Sequence, residues 1–137
     1  MSDWKAILTA DLKLDEGFRQ HPYLCSAGHS TIGYGRNLDA NGINQEEAEF
    51  LLKNNIQSSE KMLMYFSWFD DLSDNRKRAL TNMVFNLGYA RFSQFKKMLR
   101  ALAFGRFEVA AVEALNSTWA KQVGERANRI ARLIEVG

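Results

Sequence analysis

Glu16, Cys25 and Thr31 stand nine and then six positions apart in the run from Asp15 to Arg36, DEGFRQHPYLCSAGHSTIGYGR. Their types are a carboxylate, a second reactive group and a hydroxyl that can orient water by hydrogen bonding. A tight hairpin that brought them together would make an acid/base site. Cys25 is the only cysteine of the chain, and Thr31 opens the Gly-punctuated run Thr-Ile-Gly-Tyr-Gly. His21 and His29 lie within four residues of Cys25 and so suggest a cysteine hydrolase. Such enzymes bring the base from a distant segment, so the two read instead as surface histidines on a hairpin.

The elements that must position these residues follow from the apolar pattern. Ser2 is a candidate N-cap for a helix carrying Trp4, Ile7, Leu8 and Leu12 and closed by Gly17, which leaves Glu16 at a helix C-terminus. Residues Pro22 to Arg36 suit a small hairpin, and Asn37 to Gly42 a turn with Asn-Gly as its breaker. Asn44 and Glu47 form a capping-box-like start to a long helix that keeps its apolar period to about Tyr65. This helix is a candidate spacer between a small N-terminal lobe and a helical C-terminal one. A further helix starts at Ser73, carries Leu80, Met83, Val84 and Leu87, and stops at Gly88; shorter ones are expected at 92–103 and 106–116, and a last one at about Glu125 to Val136. Asn82 and Asn86 are four apart and share a helical face. Trp68, Phe69 and the methionines at helical spacing read as core.

Composition narrows the function classes. A chain of 137 residues, 46% apolar and 25% charged, has the profile of a globular domain with a proper core. No apolar run approaches the roughly 20 residues that span a bilayer, and the N-terminal residues do not read as a secretory signal. One cysteine cannot close an internal disulfide or build a Cys-rich zinc site. A net charge of +2 helps approach to an anionic polymer, but the basic residues are too dispersed for a nucleic-acid footprint.

Several motifs in order resemble the phage-type lysozymes, the T4-like endolysin family of glycoside hydrolases. Leu-Asp-Glu-Gly at 14–17 and Thr-Ile-Gly-Tyr-Gly at 31–35 are similar to its catalytic region, and Glu-Ala-Glu at 47–49 to the start of its lobe-connecting helix. Arg-Ala-Leu-Thr-Asn-Met-Val-Phe-Asn-Leu-Gly at 78–88 resembles its C-terminal core helix, and Glu-Arg-Ala-Asn-Arg at 125–129 its Arg-bearing last helix. Phe107, Ala110, Ala111 and Trp119 fit the helix and tryptophan between them. The family pattern is Glu, eight residues, Asp, five residues, Thr; here cysteine stands at the Asp position. Arg36 replaces a histidine that follows the Gly-x-Gly, and Asn55 replaces that histidine's charged partner on the connecting helix.

The resemblance implies a mainly α, α+β, lysozyme-like fold in one domain. Its N-terminal lobe, about 13–60, would carry the hairpin, and its C-terminal lobe, about 61–137, would also take up the N-terminal helix 2–12. It implies an endolysin muramidase hydrolysing the β-1,4 bond between N-acetylmuramic acid and N-acetylglucosamine of bacterial peptidoglycan, from a cleft between the lobes. A monomer with no metal, no cofactor, no nucleic acid and no membrane insertion is expected, held in the host cytoplasm until the membrane is disrupted and then acting on the wall. Glu16 would be the general acid, since the carbonyl end of a helix disfavours an anion. Arg126, paired with it by resemblance, would oppose this. Asn82, Asn86 and Arg126 would contact substrate.

Cys25 leaves alternatives open. An unperturbed thiol is only about 3% thiolate at pH 7. It can attack the anomeric carbon as thiolate, act through a water, or stand inert beside Glu16 and Thr31. A lone cysteine is also commonly a buried structural one. Two other functions compete: a peptidoglycan-binding homologue that lost turnover with its Asp, and a lytic transglycosylase, which needs only Glu16.

Overall fold

A computed structural model describes residues 3–137. The chain divides into two compact units, residues 1–49 and 50–137, with the small sheet in the first and the helical core in the second. The architecture is mainly helical α+β and lysozyme-like.

In the first unit, α1 runs Trp4–Glu16 and ends on Gly17, whose φ of 70° and N–H bond to the Lys13 carbonyl stop the helix beside the carboxylate. Ser2, expected as its N-cap, lies outside the described residues. Asp3 caps the helix, its carboxylate accepting the Ala6 N–H at 3.1 Å. Strands β1 (Arg19–Leu24), β2 (Ser30–Gly33) and β3 (Arg36–Asn37) then form an antiparallel sheet in chain order. Between the pairs Arg19↔Gly33 and Tyr23↔Thr31, β1 uses two residues more than β2, a bulge that contains Pro22. Proline has no N–H to give a ladder, so the irregularity falls where pairing is weakest.

The segment 37–42, expected as a plain turn, holds a helical turn, α2 (Leu38–Asn41). Asn37 caps it by accepting the Ala40 N–H. The expected capping box is present: Asn44 Oδ1 accepts the Glu47 N–H at 2.9 Å, and Glu47 Oε1 accepts the Asn44 N–H at 3.0 Å. It starts α3, Gln45–Leu63.

Arg36, whose expected partner on the connecting helix is replaced by Asn55, pairs instead with the base of that helix. Its two terminal nitrogens reach Glu47 at 2.9 and 2.6 Å, and one also donates to the Gly42 carbonyl at 2.9 Å. The bidentate guanidinium, then the Asn44 N–H, hold the Glu47 carboxyl below its ordinary range. A depressed acid stabilises the fold above its unfolded pKa and loses that contribution as pH falls through the folded value. Parent and Glu47→Gln should therefore differ in Tm above about pH 5 and converge as pH drops below about 4. Thermal melts across that range read it.

The second unit packs α4 (Asp74–Leu87), α5 (Tyr89–Phe92), α6 (Lys96–Ala103), α7 (Phe107–Leu115), α8 (Thr118–Val123) and α9 (Glu125–Val136). Ser73 caps α4 as expected, accepting the Arg76 N–H. The core includes Leu63, Leu80, Met83, Phe92, Ile130 and Ile134, all but inaccessible to solvent, with α9 packed on α4, α7 and α8. Trp68 is half-buried against this core and Phe69 lies within it. The expected helix at 92–103 is two helices with a break at 93–95, and α8 was not anticipated, although Ser117 caps it on the Ala120 N–H.

Arg76 ties α4 to α9, the last helix of this unit. Its Nε donates to the Ile134 carbonyl at 2.7 Å, its Nη2 to the Glu135 carbonyl at 2.9 Å, and its guanidinium lies 3.5 Å over the Phe107 ring. It satisfies carbonyls that the end of α9 leaves without helical partners. Arg76→Ala should destabilise the unit by about 2–3 kcal/mol, read by urea unfolding, because charged hydrogen bonds and the ring contact go together.

Candidate active site

The carboxylate end of α1 and the sheet meet at the β2–β3 turn. Gly35 there has a φ of 82°, and a Cβ on it would come within 2.9 Å of Glu16 Oε2 and 3.1 Å of its carboxyl carbon. The Gly-x-Gly run therefore lets Glu16 lie directly on the backbone. Tyr34 fixes the same turn, its ring 5.7 Å from that of Phe18 and 5.4 Å from Lys13 Nζ. Gly35→Ala should cost about 1–2 kcal/mol for the left-handed backbone. It should also lower turnover by about tenfold or more by displacing Glu16. A melt and an activity assay separate the two effects.

Cys25 lies at the far end of the β1–β2 hairpin. Its N–H donates to the His29 carbonyl at 3.0 Å, and its carbonyl accepts the Gly28 N–H at 2.8 Å. Ser26, Ala27 and Gly28 thus form a three-residue loop with Gly28 left-handed at a φ of 82°. The loop turns backbone amides towards the sulfur. The N–H groups of His29 and then Ala27, with the Thr31 hydroxyl and the Gly28 N–H contributing least, hold the Cys25 thiol below its ordinary range against an opposing desolvation.

Thr31 is buried at 4% exposure, although it carries a polar group, and its hydroxyl donates to the His29 carbonyl at 2.9 Å. A hydroxyl has one proton, so it serves either that carbonyl or a Cys25 thiolate at a given moment. The carbonyl is the partner in the observed geometry; formation of the thiolate would draw the proton to sulfur. Because Tyr23 pairs with Thr31, Cys25 is Thr31's diagonal neighbour on the same face of the sheet. Ser30, next to Thr31 and so on the opposite face of the strand, pairs with Leu24, and its N–H donates to Asp39 Oδ2 at 2.8 Å. His21 is exposed. His29 is half exposed, with Nδ1 3.9 Å from Asp39 Oδ2.

The second unit carries the other candidates. Asn82 Oδ1 accepts from Arg126 Nε at 3.0 Å and Nη2 at 2.8 Å, so the two side chains act as one group. They line a cavity of about 550 Å³ with Lys77, Thr81 and Phe85. Asn86 turns elsewhere: its Oδ1 accepts the indole N–H of the buried Trp119 at 2.7 Å, leaving its amide NH2 for other partners. Sequence reasoning missed Asp39, Thr81 and Phe85. An Asx residue just past a Gly-rich turn is a signal for Asp39, since such side chains reach back to backbone N–H groups.

Among the described residues, no three of His, Cys, Asp and Glu converge to hold a metal ion, and no helix is long and apolar enough to cross a membrane.

A capped helix delivering a glutamate to a three-stranded sheet, in a chain whose remainder is a helical core, defines a lysozyme-like protein. The model of the phage lysozyme family matches residues 13–133. The chain is 32% identical to "Probable T4-type lysozyme 2" of Dictyostelium discoideum, over 92% of each chain. It is also 32% identical to the "Endolysin" of Acyrthosiphon pisum secondary endosymbiont phage 1, over 84% of this chain and 80% of that one. It is 27% identical to the "Pre-baseplate central spike protein Gp5" of Enterobacteria phage T4, over 92% of this chain and 27% of that one. The chain belongs to the phage lysozyme family, and with it to the glycoside hydrolases of the lysozyme type.

Proposed function

We propose that the protein is a muramidase that hydrolyses the β-1,4 bond between N-acetylmuramic acid and N-acetylglucosamine in peptidoglycan. Glu16 gives its proton to the bridging oxygen as that oxygen leaves the anomeric carbon. A water held between the Cys25 sulfur and the Thr31 hydroxyl forms the new bond to that carbon and yields its proton to the thiolate. Solvent then takes the proton from the Cys25 thiol and returns one to Glu16, which restores the starting state. The observation that carries this reading is the hairpin itself. Backbone amides favour the anionic form of Cys25, while a buried hydroxyl with a movable proton stands diagonal to it. One sheet thus gathers Cys25, just past the end of β1, Thr31 on β2, and Glu16, which lies against the β2–β3 turn. On that reading the Asn82–Arg126 pair and the amide NH2 of Asn86 contact the glycan from the helical second unit.

The endolysin relative supports host-cell lysis as the setting. The protein would work as a monomer without a cofactor, in the host cytoplasm until the membrane is disrupted and on the wall afterwards. Digestion of purified peptidoglycan, with mass spectrometry of the soluble fragments, tests the reaction. Fragments ending in reducing N-acetylmuramic acid are expected. Fragments with 1,6-anhydro ends would make it a lytic transglycosylase, and binding without release would make it a binding protein.

A further inference from the structure

We propose that Asp39 is a positioning residue for Cys25 and Thr31, acting through the Ser30 N–H that it holds. The inference rests on the reading of those two residues as catalytic. The His29 peptide is the hub of the hairpin: its carbonyl accepts both the Cys25 N–H at 3.0 Å and the Thr31 hydroxyl at 2.9 Å, and its own N–H does most to lower the Cys25 thiol. One bond further along the chain, the Ser30 N–H donates to Asp39 Oδ2 at 2.8 Å. The same oxygen lies 3.9 Å from His29 Nδ1. Asp39 thus braces the backbone on one side of the hub and lies beside its side chain on the other. The brace is local and short, since Asp39 sits on α2 two residues after β3, the strand whose Asn37 pairs with Thr31. Without it, the first residues of β2 are free to shift against the loop at 26–28, and the His29 carbonyl no longer holds the Cys25 N–H and the Thr31 hydroxyl in register.

The side chain of Asp39 is 53% exposed, so its replacement should leave the fold intact. Two variants separate brace from charge. Asp39→Asn keeps an acceptor for the Ser30 N–H and loses the charge; Asp39→Ala loses both. Expected for Asp39→Ala is a fall in peptidoglycan turnover of about tenfold. The pH midpoint of Cys25 alkylation by iodoacetamide should also move up towards that of an ordinary thiol. Asp39→Asn should restore both towards the parent. In amide hydrogen exchange, Ser30 should be protected in the parent and in Asp39→Asn, and exposed in Asp39→Ala. Equal behaviour of the two variants in alkylation and exchange would overturn the proposal. A parent that alkylates and exchanges as expected but releases no sugar would overturn the muramidase reading while upholding the brace.

Discussion

Glu16→Gln is expected to abolish the release of soluble fragments from purified peptidoglycan while leaving the fold unchanged. The amide keeps the volume of the acid where it lies against Gly35, so packing is preserved and only the transferable proton is lost. General-acid catalysis is worth about 10²–10⁴-fold, and loss of that size leaves no measurable lysis of permeabilised cells. The melting temperature should stay within about 2 °C of the parent's, the shift that a few tenths of a kcal/mol would give. A variant that digests the wall as fast as the parent would sink the mechanism whatever Cys25 does.

Exchange at Cys25 has the next largest expected effect, and it runs in both directions. Cys25→Ala removes the group that takes the proton from water, and turnover should fall by about tenfold or more. Cys25→Asp should keep or raise turnover. An ordinary thiol is only about 3% ionised at pH 7 and a carboxylate almost fully so, which bounds the gain at about thirtyfold. The true gain should be smaller, because the amides of His29 and Ala27 already favour the thiolate. The pH profile carries the sign. Parent activity should climb as pH rises through the lowered thiol value, and Cys25→Asp should lack that limb. A Cys25→Ala variant equal to the parent across the range would leave Glu16 acting alone, the arrangement of a lytic transglycosylase.

The sequence by itself determined the longer elements and the identity of the family. Residues with strong local signals formed what they predicted: the Asn44–Glu47 box opens α3, Ser73 caps α4, and Gly17 stops α1 just past Glu16. Such signals are legible because each acts within four residues, whatever the rest of the chain does. Short helices were less legible. A single turn such as α2 or α5 is too brief to show a period, and α6 begins without a side-chain cap.

Tertiary structure alone decided the partners. Arg36 offered a charge without a visible mate, and only the fold of 36–47 brought it onto Glu47. Asn86 shares a helical face with Asn82, yet it turns to the Trp119 indole, 33 positions away, while Asn82 takes Arg126. Two equivalent amides diverge because the backbone period fixes only their direction, and the nearest donor fixes their bond, a buried indole for Asn86 and a guanidinium for Asn82. The depressed Cys25 thiol follows the same rule. The spacing of Glu16, Cys25 and Thr31 named the residues; the amides that favour a thiolate face it only because Gly28 turns the loop back on itself. Residue types set which chemistry is available, and the long-range closure of the chain sets which groups are near enough to tune it.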